Sequence, residues 1–113
     1  MFRKTLAVTL FVSTIAATAG PQYTKQQLNR MAAAGQYPSQ GPVIDKQVRP
    51  MTFSSCKRVA ESVMSQLRGS YPVETIVDTK IMYMVKSWAN DGVTLVTCSQ
   101  PDSTLVLTRA DYS

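Results

Sequence analysis

Cys56 and Cys98 are the residues of this 113-residue chain best equipped for chemistry, and the chain contains no histidine to work with them. Without histidine the usual general base, the usual zinc ligand and the Ser-His and Cys-His nucleophile pairs are all missing. Two cysteines this far apart in sequence can stay free thiols, bridge two molecules or close a loop within one chain. The third use fits a small exported domain best. The chain-entropy account gives a loop of this size roughly 4 kcal/mol of stabilisation, a large share of the ~5–15 kcal/mol that holds a typical domain folded. A bridged pair leaves no thiol nucleophile.

The other candidates for chemistry are weak. The seven acidic residues, Asp45, Glu61, Glu74, Asp78, Asp91, Asp102 and Asp111, show no clustered spacing. They match no calcium-loop pattern, and there is no glycine-rich phosphate loop. Ser54-Ser55-Cys56-Lys57 fits S-x-x-K at a helix start, the pattern of penicillin-binding enzymes. Its companion motifs are absent and the chain is too short for that fold, so Ser54 reads as a helix cap. Glu61 and Lys57 read as a solvated i, i+4 pair. The expectation is a non-enzyme with no catalytic residue, no metal and no cofactor.

The compartment that favours a disulfide is written at the N-terminus. Arg3 and Lys4 precede an uncharged, mostly apolar run of 11 residues, Leu6–Ala16, and Ala17-Thr18-Ala19 supplies the small-x-small pattern of a signal-peptidase site. Residues 1–19 therefore read as a signal peptide, cut before Gly20. The run is too short for a spanning helix, which needs ~20 apolar residues. No cysteine stands at the cut for lipid attachment, so a periplasmic or secreted protein with no stable membrane span after cleavage is expected. Cleavage lowers the excess of Lys and Arg from 12 against 7 acidic residues to 10 against 7. The remaining basic residues are scattered rather than gathered into the dense stripe of a nucleic-acid binder.

The elements that must position the cysteines follow from periodicity. Thr24–Ala34 predicts a short helix, with Thr24 and Gln27 in capping-box spacing and Gly35 as its stop. Gln36–Pro50 carries three prolines and a glycine, which deny it a helix or a central strand and leave an extended arm lying on the domain or a flexible linker. The linker reading is preferred, between the short helix in residues 20–50 and a folded domain over residues 51–113. Ser54–Arg68 is the strongest helix. Cys56, Val59, Ala60, Val63, Met64 and Leu67 form its apolar stripe, and Thr52, Ser54 or Ser55 can cap it. Four strands follow, at Val73–Asp78, Lys80–Ala89, Val93–Ser99 and Thr104–Arg109, joined by short turns as an antiparallel meander. The fold class is α+β, with one amphipathic helix packed on a 3–4-stranded antiparallel sheet.

Register ties the chemistry to the fold. A two-residue Asp91-Gly92 turn places Val85 opposite Cys98, and a Gln100–Ser103 turn places Cys98 opposite Leu105. One face then carries Ile81, Tyr83, Val85, Val96, Cys98, Leu105 and Leu107, the side the helix must cover for the cysteines to meet. Met82, Met84, Trp88, Val93, Leu95 and Val106 fall on the other face, which an antiparallel sheet usually leaves polar. The N-terminal helix, the Val43–Val48 arm or a partner must cover it. Of these residues, Met82, Met84, Trp88, Leu95 and Val106 are the candidate partner-binding set, because methionine and tryptophan suit adaptable contacts. Arg109 falls on the face opposite Trp88, which separates it from any cation–π cluster of Lys86 and Trp88.

Two functions suit such a chain. One is a binding or assembly module docking on a larger envelope protein or complex in the bacterial periplasm. Accessory components of secretion or conjugation systems fit this outline, and the element order resembles that of small outer-membrane assembly lipoproteins. The other is a small secreted enzyme inhibitor presenting the Asn90–Gly92 and Gln100–Ser103 turns.

Overall fold

The computed structural model describes residues 20–113, so the expected signal segment lies outside the described residues. Two helices and five strands follow one another as α1 (Lys25–Ala33), β1 (Gln40–Pro50), α2 (Phe53–Ser65), β2 (Val73–Asp78), β3 (Met82–Ala89), β4 (Gly92–Ser99) and β5 (Thr104–Tyr112). All strands join one antiparallel sheet in the order β1-β5-β4-β3-β2. The protein is α+β, as its periodicity predicts, with one strand more than expected.

That extra strand is β1, in the segment the prolines mark as a linker. Proline cannot donate to a ladder, yet an edge strand uses only one side, and bulges release further positions. Pro42 lies where the register with β5 shifts between Gln40 and Val43, and Pro50 is the last residue of the strand. From Asp45 to Pro50 the pairing with β5 is regular, running from Asp45↔Arg109 to Pro50↔Thr104.

Helix α2 forms where the apolar stripe predicts, but Val59 of that stripe is 41% exposed. Its cap is Thr52, whose hydroxyl accepts from the Ser55 N–H at 3.2 Å; Ser54 is exposed inside the first turn. Cys56, Ala60 and Met64, spaced one turn apart, are its buried residues. They pack on Tyr83, Val85, Val96, Cys98 and Leu105. Each fully buried Val or Met contributes about 1.5–3 kcal/mol by leaving water. Cys56 and Cys98 are bonded, with Cα atoms 5.8 Å apart, at the centre of this cluster.

The β3–β4 hairpin turns at Asn90-Asp91, since Ala89 pairs with Gly92. Cys98 therefore stands opposite Tyr83 rather than Val85, a slide of two positions from the expected register. A slide of two keeps every side chain on its face, so both predicted faces survive. Gly92 is needed for space rather than for a left-handed turn: a Cβ there would lie 2.3 Å from the Ala110 carbonyl oxygen. Cys98 opposite Leu105 is as predicted. Ile81 is not: it is 55% exposed, at the tip of a turn closed by the Thr79 N–H donating to the Met82 carbonyl at 2.8 Å.

Candidate functional site

The sheet face turned away from α2 carries the even-numbered residues of β3 and β5 and the odd-numbered residues of β4. It divides into a covered end and an open end.

At the covered end, α1 lies over the tips of β3, β4 and β5. Thr24 caps it as its spacing predicts, accepting from the Gln27 N–H at 3.0 Å while its own N–H donates to Gln27 Oε1 at 2.7 Å. Leu28 is its buried residue and packs with Trp88, Val93 and Tyr112. A nine-residue helix is marginal alone, and tertiary contacts fasten it. The Tyr23 N–H donates to the Asn90 carbonyl at 2.9 Å, and Asn90 Nδ2 returns a bond to the Tyr23 carbonyl at 2.8 Å. Asn29 Nδ2 donates to the Ser70 carbonyl at 2.9 Å.

Four tyrosines complete this clasp. Tyr37 stacks on Trp88 with ring centroids 3.9 Å apart, and Tyr23 meets Tyr112 edge-on at 5.0 Å. The Tyr71 hydroxyl donates to Asn90 Oδ1, and the Tyr112 hydroxyl donates to the Ala89 carbonyl at 2.7 Å. Burial drives the Tyr112 phenol far above its ordinary pKa, with Asp91 and Tyr23 adding to the shift. Tyr37 is also raised, by burial first and then by its hydrogen bond to Glu74. These residues stand far apart in sequence and follow no period. Their one sequence signal is the apolar second face, which demands a cover.

The open end lies beyond the clasp. Pairing sets Val77, Met84, Thr97, Val106 and Val48 in one row across all five strands. Lys86, Leu95, Thr108 and Lys46 form the next row, with Met82 on the far side of Met84. Met82, Met84, Leu95 and Val106 are half-buried and belong to neither core cluster, and Val48 is 50% exposed. Trp88 parts company with the other four candidates: it is 4% exposed, sealed under Tyr37 and Leu28. The Lys86 ammonium lies 5.2 Å from the Trp88 ring centroid. Arg109, on the opposite face, pairs with Asp91 at 3.4 Å.

The face under α2 has a polar rim of its own. Glu61 pairs with Arg68 at 2.7 Å rather than with Lys57, and it also accepts from the Tyr83 hydroxyl. Hydrogen bonds from Arg68 and then Tyr83 hold its carboxyl below the ordinary carboxylate range. Lys57 instead reaches Asp78 at 3.7 Å and lies over the Tyr83 ring at 5.2 Å. Among the described residues, no group of three or more acidic or cysteine side chains is placed to hold a metal ion. Nor is any helix among them long and apolar enough to cross a membrane.

No protein family, no curated protein and no solved structure matches this chain.

Proposed function

We propose that this chain is an exported, non-catalytic module that binds or helps assemble a larger protein of the bacterial cell envelope, working in the periplasm. The observation that carries the reading is the open end of the second sheet face. Met82, Met84, Leu95 and Val106 sit together there, half-buried, on a rigid five-stranded support. Apolar side chains gathered on one side of a small domain favour contact with another surface, and methionine adapts its shape to that surface. The non-catalytic part is supported by the engagement of both cysteines in a disulfide and by a sequence without histidine. Export is supported by the same disulfide, which persists in oxidising compartments, and by the signal-like N-terminus.

Site-specific photo-crosslinking in intact cells tests the proposal. A crosslinker at Leu95 should yield a discrete adduct with one envelope protein, and one at Arg58, exposed on α2, should not. Met84→Asp should abolish the Leu95 adduct while the protein still accumulates outside the cytoplasm. Equal labelling from both positions, or a protein retained in the cytoplasm, would sink the reading.

A further inference from the structure

The edge of the sheet formed by β1 has a sequence that complements itself, and we infer that it pairs with the same edge of a second copy to make a two-fold dimer with one continuous ten-stranded sheet. Its six residues Asp45–Pro50 are regularly paired to β5 on one side and exposed to solvent. The backbone groups on their other side face no further strand, because β1 ends the sheet order. An open strand edge is a ready template for another strand.

Symmetry limits how two such edges can meet. A two-fold axis perpendicular to the sheet keeps each face on its own side. A residue can then stand opposite only a residue of its own parity, and the axis must pass through a residue rather than between two. Centring it on Asp45 sets Asp45 against its own copy, and centring it on Lys46 does the same for Lys46. Like charges directly opposite oppose pairing. Centring it on Val48 pushes Asp45 past the end of the strand. Centring it on Gln47 sets Asp45 of each copy opposite Arg49 of the other, twice over. It also sets Lys46 opposite Val48, where the lysine stem can lie along the valine.

Within one chain these two charges are free to make that contact. Neither Asp45 nor Arg49 has an ion-pair partner among the described residues, since Arg109, opposite Asp45 on β5, is taken by Asp91. Among the described residues, the Arg49 side chain donates to Gln47 Oε1 alone, at 3.4 Å. Pro50 closes one end of the pairing segment, and the bulge after Val43 closes the other. Pairing is thereby confined to a short stretch and stopped from growing into an open ladder. The union also brings Val48, Val106 and Met84 of the two copies into one broad face.

Sedimentation of the purified protein over a concentration series should show a reversible monomer–dimer equilibrium. Arg49→Glu sets acid against acid, and Asp45→Lys sets base against base. Each should weaken self-association about tenfold or more while melting as the wild type does. An equimolar mixture of the two variants restores both opposite-charge pairs and should associate nearly as tightly as the wild type. Hydrogen exchange on the wild type gives a measurement free of mutation: the amides of Lys46 and Val48, which point away from β5, should gain protection with concentration. A wild type that stays monomeric would overturn the inference. So would a dimer that both variants leave unchanged, a well-folded mixture that fails to associate, or protection gained elsewhere but not on β1.

Discussion

The two faces of one sheet are closed by different means. Under α2 the closure is aliphatic and covalent: Cys56, Ala60 and Met64 meet Val85, Val96 and Leu105 around a disulfide. On the opposite side it is aromatic and reversible: Leu28, Trp88 and four tyrosines hold α1 by stacking and hydrogen bonds, over part of the face only. From that difference the disulfide side should carry global stability, and the aromatic side should behave as a separable cover whose docking can be lost without unfolding the sheet. On the second face the cover stops short and leaves Met82, Met84, Leu95 and Val106 half-buried.

The comparison breaks most visibly at the disulfide. Replacing Cys98 by serine should lower the global unfolding free energy by about 4 kcal/mol, the loop-closure value, measured by denaturant titration. A loss under ~0.5 kcal/mol would mean that the apolar cluster alone holds that face. Next in size, Leu28→Ala should cost about 3 kcal/mol, and the loss should be local. Hydrogen exchange should show residues 23–37 losing protection while α2 and β3–β5 keep theirs. Loss of protection in both regions together would merge the two faces into a single cooperative unit. A smaller effect of the same kind comes from Thr24→Ala, which removes one half of the capping box and should cost about 1 kcal/mol, again confined to α1.

The finest distinction is one of pH. The Glu61 carboxyl is held below its ordinary 4.5 by Arg68 and Tyr83. Its contribution is therefore present above that value and lost as pH falls toward its folded value. Between about pH 5 and pH 2 the wild type should lose more stability than Glu61→Gln. Tyr112 is raised above its ordinary 10.0, first by burial. Its contribution is whole below that value and lost as pH climbs above it. Alkali should therefore loosen the clasp, and Tyr112→Phe should flatten that dependence while giving up the bond to Ala89. Difference spectra of the tyrosines, read beside exchange at residues 23–37, separate the two ends of the scale.

The face under α2 was legible in sequence because its signals are periodic. Apolar residues recur every turn along Phe53–Ser65 and alternate along β3, β4 and β5, and the cysteines must point at each other. A turn at Asn90-Asp91 rather than Asp91-Gly92 leaves the orientation of the paired residues unchanged, since a slip by an even number preserves it, and costs the core face only Ile81, which falls beyond the ladder. The helix at Lys25–Ala33 was also legible, through its capping box. Strand β1 was hidden because its prolines forbid a central strand and only a neighbour reveals that they sit at an edge. The clasp was hidden for another reason: Tyr23, Tyr37, Tyr71 and Tyr112 lie far apart along the chain, and only the tertiary fold gathers them. Parity sets Trp88 on the same face as Met82, Met84, Leu95 and Val106, which is correct for orientation but says nothing of what lies on top.

The link between Cys56 and Cys98 also sets how the molecule answers to pulling. Its ends stand 42 positions apart in sequence, and everything between them is shut inside a ring. A load applied through the chain ends passes across the sulfur–sulfur bond and bypasses that ring. The tether can then pay out only the chain before Cys56 and after Cys98, at no more than ~3.6 Å for each residue freed. The molecule would first give by shedding its N-terminal helix and strands β1 and β5, and would then stop lengthening with β2, β3 and most of β4 still enclosed.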